Sequence, residues 1–177
     1  TLTEDEVSLI LLHFQVALDQ FEQVGNIVVV CTYGVSSSQL ILSRVKQILP
    51  AKDNITVTTT KKLKEIDLDS KEKCLDFIID VLEKDNAVYD EFREAIYKRE
   101  KLGVTCLDTG VALPHADPQT IKKSRIILLT LKHPVDWGGT LVSLIVVTAF
   151  PEEEMNQIRD VINELYQLIG EKEDVNT

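Results

Sequence analysis

The sequence predicts an α/β protein. The β-branched run Ile27-Val-Val-Val-Cys31 reads as a buried strand that ends where a helix begins, and Arg125 to Leu131 and Leu141 to Phe150 read as two further strong strands. Apolar residues at helical spacing fill the stretches before and between them. With 177 residues and 44% hydrophobic content the chain can bury a sizeable core, as one domain of ordinary size or two small ones.

The first element is a helix over about Glu4 to Gln23. Thr3 and Glu6 stand in capping-box spacing, and Val7, Ile10, Leu11, Phe14, Leu18 and Phe21 repeat at the rhythm of one buried face. Leu9, Leu12 and Val16 widen that face, as in the last helix of a truncated bundle. A strand over Asn26 to Val30, a helix marked by Leu40, Ile41, Val45, Ile48 and Leu49 up to Pro50, and a second strand over Asn54 to Thr60 then form a parallel βαβ unit. It is short for a domain, so residues are expected to be missing near Ile66-Asp67. From Leu68 onward, Cys74, Leu75, Ile78, Val81 and Leu82 mark one helix, and Val88 to Lys101 reads as a second, ended by Gly103. The two strong strands follow, separated by a turn over Pro134 to Gly139, and Glu152 to Ile169 forms a final helix with an acidic first turn. Three segments result, at 1–24, 25–66 and 67–177.

Composition excludes some functions. A net charge of -10 and a pI near 4.8 would repel a nucleic-acid backbone. No apolar stretch reaches the ~18 residues of a membrane span. The cysteines Cys31, Cys74 and Cys106 have neither disulfide nor metal-ligand spacing, so no metal or cofactor is expected and a reducing cytoplasm fits. The opening at Thr1, without Met, hints that the chain starts inside a longer protein.

Two stretches carry chemistry. Cys31 at the end of its strand would meet the positive end of the following helix, which favours a thiolate and holds a dianion. Thr32, Gly34, Ser36, Ser37 and Ser38 complete a phosphate loop: the glycine admits close backbone approach and the serines add hydroxyl donors. In Gly110-Val-Ala-Leu-Pro114-His115-Ala-Asp117, Pro114 stiffens the turn and Gly110 lets the chain approach its neighbours, so His115 can present one nitrogen as a nucleophile towards phosphorus. Arg99, at the end of the preceding helix, would neutralise the incoming phosphate. The plain alternatives are a small buried residue at a strand end for Cys31, and a loop histidine beside a solvated arginine. His13 reads by default as a core histidine, His133 as an exposed one, and Cys74 and Cys106 as packing residues.

On these residues the chain resembles the carboxyl-terminal part of a bacterial transcriptional regulator controlled by the sugar phosphotransferase system, of the mannitol-operon activator type. Thr3 to Phe14 is similar to the end of a phosphotransferase regulation domain, and Val28-Val-Val-Cys31 to Leu40 to the phosphocysteine loop of a galactitol-type enzyme IIB. Arg99-Glu100-Lys101, Gly110 to His115 and Val135-Asp-Trp137-Gly-Gly139 are similar to enzyme IIA of the mannitol/fructose type. The resemblance implies His115 and Cys31 as phosphoacceptors, Arg99 as phosphate partner and His13 as a regulatory site. It implies as partners the phosphocarrier protein and enzyme IIB and IIA components, docking to a membrane-bound transporter, a DNA-binding part outside this segment, and a homo-oligomer at full length. Transport-type enzyme IIA proteins carry a second active-site histidine after the strand corresponding to Leu141 to Phe150. Here no histidine follows His133, and Glu154 and Met155 stand in that neighbourhood. The expected function is therefore phosphorylation-controlled signal reception in a sugar-operon regulator. The alternatives are a transport component that passes phosphate towards a sugar and an interaction module that keeps the loops without phosphorylation.

Overall fold

The computed structural model describes residues 27–31 and 55–57, through their backbone, and residues 67–155. Their strands are β1 (Ile27–Cys31), β2 (Ile55–Val57), β3 (Val111–Ala112), β4 (Arg125–Asp136) and β5 (Leu141–Ala149), and they form one sheet in the order β2-β1-β4-β5-β3. Two helices, α1 (Lys71–Lys84) and α2 (Phe92–Leu102), precede β3. The architecture is α/β, as the alternation of patterns requires.

β1 pairs in parallel with both β2 and β4, β4 pairs antiparallel with β5, and β5 in parallel with β3. The parallel β1–β2 pair is the one expected of a βαβ unit. The sheet continues across the boundary expected at Ile66-Asp67, because Ile27 to Cys31 register with Ile126 to Thr130 of β4. Central strands flanked on both edges read as continuous apolar runs, and Arg125 to Leu131 are buried throughout.

α1 starts where Ser70 accepts a hydrogen bond from the Lys73 amide at 3.3 Å. It lays Cys74, Leu75, Ile78, Ile79 and Leu82 into the core, at the spacing of one helical face. Burying side chains of this size contributes about 1.5–3 kcal/mol each. Cys74 is a packing residue, as expected: it is fully buried, and burial pushes its thiol up to about 12.

Three boundaries differ from the sequence expectation. The second helix begins at Phe92 rather than Val88, because Val88 bridges Ile121 and the Tyr89 amide donates to the Thr120 carbonyl at 2.9 Å. β4 runs on to Asp136, so Pro134 lies in a strand and not in a turn. Its missing N–H is tolerated because the β1 partner ends at Thr130 and the β4–β5 register shifts between Thr130 and Val135. Finally, a 3₁₀ turn over Pro118–Thr120 follows the histidine, where no element was expected. The helix expected from Glu152 is helical over 152–155, and its remainder lies outside the described residues.

Candidate functional site

The site is built where α2 ends and the chain leaves β3. Phe92, Ile96 and Glu100 form the inward face of α2, which turns Arg99 sideways towards the segment after β3. That segment is fixed at both ends. The Leu113 amide donates to the Thr105 carbonyl at 2.7 Å, and Asp117 caps the 3₁₀ turn by accepting from the Gln119 amide at 3.0 Å. Pro114 and Ala116 are buried on either side, leaving half-buried His115 on a short, braced turn. Gly110 is required one step earlier. Its φ is +85°, and a Cβ there would stand 3.1 Å from the Leu141 carbonyl oxygen.

Two partners determine the state of the imidazole. Arg99 Nε lies 3.1 Å from His115 Nε2, and His115 Nδ1 lies 3.0 Å from the Leu113 carbonyl oxygen. A carbonyl only accepts and a guanidinium only donates, so Nδ1 carries the proton and Nε2 carries the lone pair. A nucleophilic role for the ring would therefore fall to Nε2. Arg99 Nη1 also donates to the Gly103 carbonyl at 3.2 Å, which ties the guanidinium to the end of its own helix.

The imidazole opens on a cleft of about 600 Å³ between α2 and the 3₁₀ turn, lined by Glu91, Glu94, Lys98, Arg99, Leu102 and Asp117 among others. Charges of both signs line it, and Leu102 at its rim is 78% exposed. The Asp117 carboxylate is engaged in its capping bond. Glu154, which stands after β5 in the place of a second histidine, accepts a hydrogen bond from Ser124 and does not line this cleft. Among the described residues, no three His, Cys, Asp or Glu side chains are grouped as a metal set. Nor is any described helix long and apolar enough to cross a membrane.

The predicted site residues divide in two. Arg99 and His115 are in contact. Cys31 is placed by its backbone alone, at the carboxyl end of β1, while Thr32, Gly34, Ser36, Ser37, Ser38 and His13 lie outside the described residues. The sheet keeps Cys31 away from His115. Cys31, Thr130, Leu144 and Val111 share one row across β1, β4, β5 and β3, so Cys31 and Val111 are three strand spacings apart, about 14 Å. β1 and β3 also run in opposite directions, so the chain leaving β3 towards His115 heads away from the end of the sheet at which β1 points.

Sequence reasoning missed the Leu113 carbonyl, which sets the tautomer, and Glu100 behind Arg99. The first leaves no trace in side-chain identity. The second does: a carboxylate in step with Phe92 and Ile96 on an apolar face announces a buried charge that needs partners. His133 is exposed, as expected, and Cys106 packs partly buried against the core.

Parts of the chain are similar to known proteins. Over 70 residues the chain is 39% identical to the transcriptional regulator ManR of Bacillus subtilis (strain 168), covering 40% of this chain and 11% of that protein. Over 69 residues it is 36% identical to the 2-O-alpha-mannosyl-D-glycerate-specific EIIABC component of the Escherichia coli (strain K12) phosphotransferase system, covering 37% of this chain and 10% of that one. The chain thus spans about a tenth of the length of these relatives. Among solved structures, the nitrogen regulatory protein IIA-Ntr of Neisseria meningitidis aligns with a TM-score of 0.49 at 26% identity, over 60% of this chain and 75% of that one. Mannitol IIA of Escherichia coli aligns with a TM-score of 0.45 at 23% identity, over 60% and 84%. Residues 57–177, more than half of the chain, match the family described as phosphoenolpyruvate-dependent sugar phosphotransferase system, EIIA 2, and the chain belongs to that family.

Proposed function

We propose that this chain is the phosphorylation-controlled signal-receiving region of a sugar-operon transcriptional regulator, with His115 as its principal phosphoacceptor. The observation that carries the reading is the pair of bonds on the imidazole, which leaves Nε2 as an unprotonated nucleophile under a guanidinium. In the reaction, the Nε2 lone pair attacks phosphorus of a phosphohistidine on the carrier protein. The new N–P bond forms as the donor's N–P bond breaks, and the proton stays on Nδ1, donated to the Leu113 carbonyl. Arg99 passes its hydrogen bonds from the ring nitrogen to the phosphoryl oxygens. The added charge of about -1.5 to -2 then changes how this face docks on its neighbours.

In the same reading 1–24 ends a regulation domain bearing His13, 25–66 is an enzyme IIB-like segment and 67–177 the enzyme IIA-like domain. Cys31, with Thr32, Gly34, Ser36, Ser37 and Ser38, is a second phosphate site. The protein works in the cytoplasm, and its DNA-binding part lies elsewhere in the full-length chain. Similarity to a regulator supports this, and so does a described cleft in which His115 is the single imidazole. Incubation with phosphoenolpyruvate, enzyme I and the phosphocarrier protein, followed by mapping of acid-labile phosphate, tests it. Label on His115 is expected, and its absence rejects the proposal.

Similarity to an EIIABC component favours a second reading, a transport component that passes the phosphoryl group towards a sugar. Catalytic turnover of sugar phosphorylation would select that reading over the first.

A further inference from the structure

Glu100 neighbours Arg99 in sequence but faces the opposite way, into the protein, where it is only 7% exposed. A buried carboxylate is retained in a core only when donors surround it, and this one has three. Oε2 lies 2.6 Å from Lys71 Nζ and accepts from Trp137 Nε1 at 3.3 Å, while Oε1 accepts from the Thr105 hydroxyl. Lys71 Nζ also sits 5.3 Å from the centre of the fully buried Trp137 ring.

The donors come from different places. Lys71 opens α1, Trp137 stands in the turn between β4 and β5, and Thr105 belongs to the segment that returns from α2 towards β3. Thr105 matters most, because its carbonyl holds the Leu113 amide and the Leu113 carbonyl holds His115 Nδ1. Both groups that grip the imidazole are therefore tied to the same carboxylate: Arg99 as its neighbour along the helix, Leu113 through Thr105. We propose that Glu100 is a positioning residue for phosphoryl acceptance, fixing the separation between the Arg99 guanidinium and the Leu113 carbonyl so that Nε2 stays both deprotonated and covered. The proposal rests on His115 being the acceptor.

Its test uses the whole chain. Glu100→Gln keeps the side chain's shape and removes the charge that holds Lys71. Phosphorylation of His115 by the phosphocarrier protein should slow about 10- to 100-fold, the scale of a sub-ångström to ångström misplacement of reacting groups. The His115 ring ¹⁵N signals should move in the direction seen for Arg99→Ala, a change that loss of stability alone would not produce. The double variant Arg99→Ala/Glu100→Gln should be slower than Arg99→Ala by no more than about twofold, because the second residue acts through the first. Should Glu100→Gln fail to fold, Lys71→Gln, at a partly exposed side chain, carries the same three measurements. Wild-type rate and wild-type ring signals in the variant, or multiplicative losses in the double variant, would overturn the proposal while leaving His115 as acceptor. A wild-type chain that takes no label on His115 would overturn the functional reading and this inference with it.

Discussion

The carboxyl end of β1 and the turn after β3 carry the two predicted phosphoacceptors, and the fold treats them differently. Cys31 ends a strand bonded on both sides, by β2 and β4, and that strand points in the same direction as β4. His115 follows an edge strand of two residues that points the opposite way, and lies beside the last turn of α2. Phosphoryl transfer needs reacting atoms about 3–3.5 Å apart. If both accept phosphate, a shared sheet that separates the two positions would make them independent stations rather than consecutive ones.

Four outcomes would break or sharpen that contrast. The largest is expected from His115→Ala, which should abolish acid-labile label in residues 67–155 while leaving label at Cys31 unchanged when the phosphocarrier protein is the donor. Loss of both labels in this variant, at a rate independent of protein concentration in the wild type, would show that the stations communicate within one chain.

Next comes Arg99. Replacement by Ala should reduce the rate of His115 labelling by about 100-fold or more, the usual effect of removing a preorganised donor from developing charge. Arg99→Lys should recover only part of this, because an ammonium cannot bond the ring nitrogen and the Gly103 carbonyl together in the guanidinium's fork geometry. Stopped-flow or quench labelling distinguishes them, and equal rates for wild type and Arg99→Lys would remove the bidentate role. Labelling at Cys31 should not respond to either change.

A smaller effect, on stability, is expected at Gly110. An alanine there must hold φ +85° and crowd the Leu141 carbonyl, which should cost about 1–3 kcal/mol in denaturant unfolding. A cost near zero would mean that the histidine segment relaxes freely and is not braced by β5.

The smallest concerns alkaline pH. Burial raises the Cys74 thiol from 9.0 to about 12, and burial with a bond to Asp76 raises Tyr97 from 10.0 to about 12. Both folded values lie above the unfolded ones, so the unfolded chain loses protons first as pH rises. The stability they contribute is full below pH 9.0 and is lost progressively towards about pH 12. Thermal unfolding measured from pH 8 to 11 should show the decline, and Cys74 should resist iodoacetamide at pH 9 until the protein unfolds. Rapid alkylation of native Cys74 would contradict its place in the core.

Much of the second half was legible because its signals are local. The apolar faces of α1 and α2, the strands from Arg125 and Leu141 and the arginine sixteen residues before a Pro-His turn all reside in short stretches of sequence. Helix and strand periods report which residues turn inward, and Gly103 and Gly110 mark where the chain stops or bends. The misplaced helix start at Val88 and turn at Pro134 share one cause. Each was decided by pairing with another segment, Ile121 for Val88 and β5 for Pro134.

Within residues 67–155, then, the sequence by itself determined the main helices and strands, their buried faces and the pairing of a histidine with an arginine, since these follow from residue spacing and side-chain chemistry. Tertiary structure alone decided the strand order, the opposed directions of β1 and β3, the proton on His115 Nδ1 and the donors that converge on Glu100. The reason is physical. Periodicity encodes which groups leave water, but which groups they then meet depends on hydrogen bonds closed between segments that only the folded chain brings together.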